Sequence, residues 1–250
     1  MPITVKYMKA IFSFVALACL VNTVSEAAIV MTGTRVIFPS NQNEKTIQLQ
    51  NKDNVANIIQ VWLDSGNEAS KPDTADAPFI ANPQIFKIAP NQGQMVRIIY
   101  TGQKTDQPQD RESIFYLNFS EIPAIKNTNV DKNKLMVVFK NRVKVFYRPE
   151  RLPFPSHEIT QHIQYKFMGS NGNQKISISN NSPYYANISE ANLLTQSTKI
   201  LLKKNSMFHP FSTTEWEIPA KNINPQHARI NLSLINDYGI VVSNEIIQVE

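Results

Sequence analysis

The stretch from Asn133 to Pro149, NKLMVVFKNRVKVFYRP, constrains the fold more than any other part of the sequence. It runs for about fifteen residues without Gly or internal Pro, is rich in Val, Phe and Tyr, and ends on a Pro that cannot donate to a ladder. These properties predict one long β-strand. Its first half is apolar on both faces, with Leu135, Val137 and Phe139 on one and Met136 and Val138 on the other, while its second half carries Lys140, Arg142, Lys144 and Arg148. A strand with one wet face alternates apolar and polar residues. This one therefore either lies inside a two-layer core or keeps an apolar face for another molecule.

The remainder of the chain reads as strand too. It has 15 Pro against 7 Gly and no sustained helical period. Candidate strands are 29–38, 46–50, 57–63, 85–88, 94–100 and 113–121, followed by the long strand, and the turn signals between them fit an immunoglobulin-like sandwich. Arg151, Leu152, Pro153 and Pro155 then make a short stiff connection. A second series follows at 159–167, 174–180, 184–193, 199–202, 214–218, 228–235 and 240–249. The expected class is all-β, with a hinge near residue 150 between two β-sandwich domains and no visible internal repeat.

The N-terminus carries Lys6 and Lys9, an apolar run from Ala10 to Val21, and small residues up to Ala27. The run is short for a membrane span, so a secretory signal over 1–27 that is cut after Ala27 is expected, with Met8 as an alternative start. The first domain then covers 28–149 and the second 150–250. Without the leader the chain keeps 23 positive and 19 negative side chains, a net charge of +4. These charges form no basic stripe with stacking aromatics, so nucleic acid is not an expected partner. The single Cys, Cys19, lies in the leader, which leaves cores alone to stabilise the exported chain.

Several motifs carry more than β grammar. GTRVIFPS (Gly33–Ser40) places Arg35 in a strand about eight residues into the mature chain, and DRESIFYLNFSEIP (Asp110–Pro123) leads charged residues into an alternating strand with an Ile-Pro stop. The long strand ends in Lys144, Val145, Phe146, Tyr147, Arg148, Pro149. The second half contains NNSPYY (Asn180–Tyr185), MFHPFS (Met207–Ser212) and the turn NDYG (Asn236–Gly239). Taken in this order, these segments resemble the periplasmic pilus chaperones of the chaperone–usher pathway across essentially the whole mature chain. About ten residues between Pro123 and Lys134, with no Cys pair around them, match the short-loop class.

The resemblance implies two immunoglobulin-like domains in an L-shaped arrangement with a cleft between them. It implies a chaperone that binds, folds and caps incomplete pilus subunits by lending them its 133–148 strand, then delivers them to an outer-membrane usher. Arg35 and Lys144 would anchor the subunit's C-terminal carboxylate, and Leu135, Val137 and Phe139 would fill the subunit's groove. Glu112, Arg148 and Asp237 would form a structural interdomain charge network. Whether the unliganded protein self-associates by capping its own exposed strands is left open by the sequence. A structural pilus or adhesin subunit is the competing class, but such subunits commonly carry a disulfide and an N-terminal donor extension.

An enzyme is not expected. There is no Gly-x-Ser-x-Gly elbow, HExxH or P-loop, and His157, His162, His209 and His227 are too scattered for a metal site. No cofactor, metal or small-molecule substrate follows from the sequence.

Overall fold

The computed structural model describes residues 29–123, 137–169, 174–220 and 223–249. In chain order the first half forms β1 (Ile29–Met31), β2 (Arg35–Pro39), β3 (Glu44–Asn51), β4 (Asn57–Asp64), β5 (Phe79–Asn82), β6 (Ile85–Ile88), β7 (Gly93–Tyr100), β8 (Ser113–Pro123) and β9 (Phe139–Arg148). They make two sheets, ordered β1-β3-β7-β5 and β2-β9-β8-β4-β6. Phe38, Leu49, Ile59, Ile98, Leu117 and Tyr147 are among the side chains sealed between them. Each such side chain contributes on the order of 1.5–3 kcal/mol by leaving water. Phe38, Phe79, Tyr100, Phe115 and Tyr147 add edge-on and stacked ring contacts with centroids 4.7–6.3 Å apart.

The segment expected as one strand over 29–38 is two strands in different sheets. Gly33 has φ +89°, a left-handed backbone open to glycine, and the chain changes sheets there. β1 pairs antiparallel with β3, whereas β2 runs parallel to β9 with Arg35 opposite Lys144. β5, four residues that stop at Pro83, is not among the expected strands.

Strand β9 joins the first-domain core through Val143, Val145 and Tyr147, and its alternate residues Lys140, Arg142, Lys144 and Arg148 project from the other face. It pairs with β8 from Phe139 to Tyr147, but with β2 only from Lys144 onward. Its edge between Phe139 and Val143 thus has no second partner strand among the described residues. Residues 133–136 of the expected strand, Leu135 included, lie outside the described residues.

The outer face of β9 grips the connection after β4. Arg142 donates to both carboxylate oxygens of buried Asp64 at 2.5 and 2.8 Å and to the Asn67 carbonyl at 3.1 Å, while Asn118 Nδ2 bonds Asp64 at 2.6 Å. Lys140 donates to the carbonyls of Glu68 and Ser70 at 2.9 and 2.8 Å and lies over the Trp62 ring. Burial pushes the Asp64 carboxyl up, but the hydrogen bonds from Arg142, Asn118 and the Gly66 amide outweigh it and hold the group below its ordinary value of 3.8. A carboxyl depressed in this way adds stability above its unfolded pKa and loses it as pH falls through the folded one. The Asp64→Asn variant is therefore expected to show a flatter loss of stability below about pH 4 than the parent, read from urea midpoints across an acid series. Equal slopes would mean that Asp64 contributes nothing to acid sensitivity.

The second half forms β10 (Ile163–Met168), β11 (Lys175–Asn180), β12 (Ala186–Leu194), β13 (Lys199–Phe208), β14 (Ser212–Glu217), β15 (Arg229–Ile235), β16 (Val241–Glu245) and β17 (Ile247–Gln248). Its sheets are ordered β14-β11-β10-β17 and β13-β12-β15-β16, around a core that includes Ile163, Ile178, Leu193, Phe208 and Ile230. The start of the segment expected as strand at 159–167 belongs instead to a 3-10 turn, Ser156–His162, that begins after Pro155. β13 runs on to Phe208 through the polar stretch Lys203–Ser206, which its edge position tolerates. The expected strand at 240–249 divides at Ile246 into β16 and β17, which join different sheets. The two cores are separate clusters.

Candidate functional site

The halves meet around the end of β9. Phe146, on the face away from the first core, is buried with its ring centroid 5.8 Å from that of Tyr185. Two residues on, Arg148 donates from Nε to Glu112 Oε1 at 2.7 Å and from Nη1 and Nη2 to the two Asp237 oxygens at 2.7 and 2.8 Å. Glu112 stands just before β8 and Asp237 in the turn between β15 and β16, so one guanidinium bridges the two domains. The second Glu112 oxygen accepts from the Tyr185 amide at 2.9 Å, and the Ser156 hydroxyl donates to Asp237 at 2.7 Å.

Burial pushes the Glu112 carboxyl above its ordinary value against the pull of Arg148 and the Tyr185 amide. Burial also tends to raise Asp237, but the Arg148 bonds and charge and the Ser156 hydroxyl outweigh it and hold that carboxyl low. For Arg148, burial works against the charge, yet the two carboxylates more than compensate and raise its pKa. The turn itself sits hard against the first domain. Gly239 has φ +82°, where an L side chain is strained, and a Cβ there would lie 2.5 Å from Thr34 Oγ1 and would have to displace that hydroxyl.

Arg35 and Lys144 occupy the neighbouring register position, as Cα partners on the parallel β2–β9 pair. Neither forms an ion pair with a carboxylate among the described residues. Arg35 Nη1 donates to the Ile235 carbonyl at 2.9 Å, and its Nε is buried without a hydrogen-bond partner among the described residues. Lys144 Nζ donates to Asn187 Oδ1 at 2.7 Å. Burial lowers the Arg35 pKa despite the more distant Asp237 and Glu112 charges, and burial together with Arg35 lowers that of Lys144. Both ions are thus held in a costly place with only neutral acceptors. Arg35 lines a cleft of about 180 Å³ with Phe146, Tyr185, Asn187 and Asp237, whose wall Lys144 reaches through its bond to Asn187, and this cleft shares Arg35, Asp237 and Tyr238 with a wider groove of about 580 Å³ along β2 and β3.

At the other end of β9, about 16 Å from Lys144 at strand rise, the core-side face runs past the sandwich. Asn141 is tied to buried Glu121, whose other oxygen accepts the Ile29 amide. Beyond it Phe139 is 62% and Val137 49% exposed. The structure thus brings Glu112, Arg148 and Asp237 together, sets Arg35 beside Lys144, and leaves Val137 and Phe139 apart from both groups. Ser156 and Asn187 were missed by sequence reasoning. The only signal was the position of Asn187 two residues after the PYY stretch.

Fold and cleft define a two-sandwich protein with a cleft at the domain junction and one strand, β9, whose far end has no second partner strand among the described residues. Residues 28–153 match the family described as pili and flagellar-assembly chaperone, PapD N-terminal domain, and residues 158–246 match the pili assembly chaperone PapD, C-terminal domain. The chain is 32% identical over 217 residues to the probable fimbrial chaperone YadV of Escherichia coli K12, covering 86% of this chain and 87% of that one. It is 31% identical over 238 residues to the chaperone protein HifB of Haemophilus influenzae, covering 93% and 94%. The crystal structure of the YadV chaperone superposes with a TM-score of 0.73 at 30% identity, covering 88% of this chain and 98% of that one. The chain belongs to the PapD-like family of pilus-assembly chaperones. Its role is that of a fimbrial chaperone, in preference to that of a structural pilus subunit.

Proposed function

We propose that this chaperone acts in the periplasm, after removal of its 1–27 leader, by lending β9 and the residues that precede it to an incomplete pilus subunit. The subunit's C-terminal carboxylate binds between Arg35 and Lys144, while Leu135, Val137 and Phe139 fill its groove and the free β9 edge supplies backbone hydrogen bonds. Strand addition to an open sheet edge, of which donor-strand complementation of pilins is a known instance, divides recognition in this way: main-chain hydrogen bonds give affinity and alternate side chains give specificity. The observation that carries this reading is the adjacent, half-buried cation pair, which has no carboxylate partner among the described residues and one buried guanidinium nitrogen unpartnered among them. An anion is what completes such a site.

The apolar side chains and the anchor divide the work. Burying Val137 and Phe139 contributes on the order of 1.5–3 kcal/mol each, and each charged hydrogen bond to a carboxylate about the same. The anchor alone distinguishes the correct alignment from a slip along the strand, because a slip leaves a carboxylate unpaired in the cleft. The protein catalyses no reaction and uses no cofactor in this scheme. The capped subunit passes to an outer-membrane usher, and the unoccupied strand edge is open to self-association.

Co-expression with exported β-rich proteins encoded beside it, followed by native mass spectrometry of the periplasmic fraction, tests this function. A one-to-one complex with a Cys-containing subunit is expected, lost with Lys144→Ala and weakened at least about tenfold with Phe139→Asp. A monomer with every candidate subunit, each of them stable under the same conditions, would overturn it.

A further inference from the structure

We propose that Asn187 is a positioning residue of the anchor, a neutral acceptor on the cleft wall that holds the Lys144 ammonium without cancelling its charge. This rests on the carboxylate-anchor reading above. Asn187 lies on β12 in the second domain and is 5% exposed, with Oδ1 2.7 Å from Lys144 Nζ and Nδ2 3.3 Å from the Tyr185 carbonyl. The amide orientation follows from the chemistry, since an ammonium only donates and a carbonyl only accepts. Lys144 has three donors, and one of them is committed to this bond.

The charges at the junction explain why the acceptor is neutral. Arg35, Lys144 and Arg148 are positive, Glu112 and Asp237 negative, and the two carboxylates both belong to Arg148. The formal sum is one positive charge in excess, which one incoming carboxylate balances. An acidic side chain at 187 would supply that balance from within the chaperone. The ligand would then have to displace a resident carboxylate rather than occupy an open place. A wholly apolar side chain would fail in the other direction, leaving the ammonium without a group to aim it. The same device serves Arg35, which the Ile235 carbonyl holds from β15. The second domain therefore orients both anchor cations from the far wall of the cleft and neutralises neither.

The test uses the full mature chaperone and the C-terminal strand peptide of the subunit recovered by co-expression, made once with a free carboxylate and once as the C-terminal amide. Titration calorimetry gives the ratio of the two affinities, a quantity that a general packing defect leaves alone because it weakens both peptides equally. The parent is expected to prefer the carboxylate by about tenfold or more, as charged hydrogen bonds to one partner imply. Asn187→Asp is expected to reduce that preference to within about twofold while changing amide-peptide affinity little. Asn187→Leu, of similar volume but without an acceptor, is expected to reduce it at least about threefold, and decides the matter if the Asp variant does not fold. A parent preference that survives unchanged in these variants would overturn the role of Asn187. No preference in the parent would overturn the carboxylate anchor itself.

Discussion

The Arg148→Ala protein is expected to lose about 3–5 kcal/mol of stability, the cost of removing one partner from a buried charge cluster. The loss comes less from the missing attraction than from what remains. Glu112 is nearly inaccessible and would keep only the Tyr185 amide as a partner, and Asp237 would keep the Ser156 hydroxyl. Two carboxylates of the same sign would then face each other across the junction. Urea titration of the variant beside Glu112→Gln and Asp237→Asn checks this, and Arg148→Ala should be the most damaging of the three. A loss under about 1 kcal/mol for Arg148→Ala would mean that water reaches the cluster freely and that the network does not fix the domains.

Arg35→Ala is expected to do the opposite, abolishing recovery of subunit complexes while leaving the fold intact. The guanidinium bears a desolvation cost that its single bond to the Ile235 carbonyl offsets only in part, and its Nε makes no bond among the described residues. Removing it therefore changes stability little. Its worth lies in the bound state, where charged hydrogen bonds to a carboxylate contribute roughly 1.5–3 kcal/mol each, enough to lower affinity about tenfold to a hundredfold. Co-purification of the subunit, with circular dichroism of the variant as the folding control, reads both halves. Undiminished recovery with a folded Arg35→Ala protein would remove Arg35 from the anchor.

Much of this architecture was legible because the residues that build it have strong local signatures. Runs such as Ile114–Phe119 and Val143–Tyr147 are rich in β-branched and aromatic residues, and a Pro closes each strand. The segments around Arg35, Glu112, Arg148 and Asp237 are distinctive enough to be named from sequence although they lie far apart in the chain. Other features left no such trace. The change of sheet at Gly33 depends on a single backbone angle. β5 is cut short by Pro83, and the lysines of β13 hide the second half of a strand whose partner on one side supplies its order. Ser156 and Asn187 are short polar side chains whose importance comes from what stands opposite them. Asp64 looks like an ordinary loop acid until Arg142, reaching from a distant strand, closes over it.

That closure gives β9 the mechanics of a cantilever. Lys140 and Arg142 clamp the strand to the connection after β4, and Val143, Val145 and Tyr147 embed the rest of the beam. In the proposed scheme, force applied at Phe139 by an arriving or departing subunit meets this fulcrum before it reaches the core. Where the clamp ends is therefore where a load begins to bend the strand, and loosening Lys140 or Arg142 would move that point toward the core.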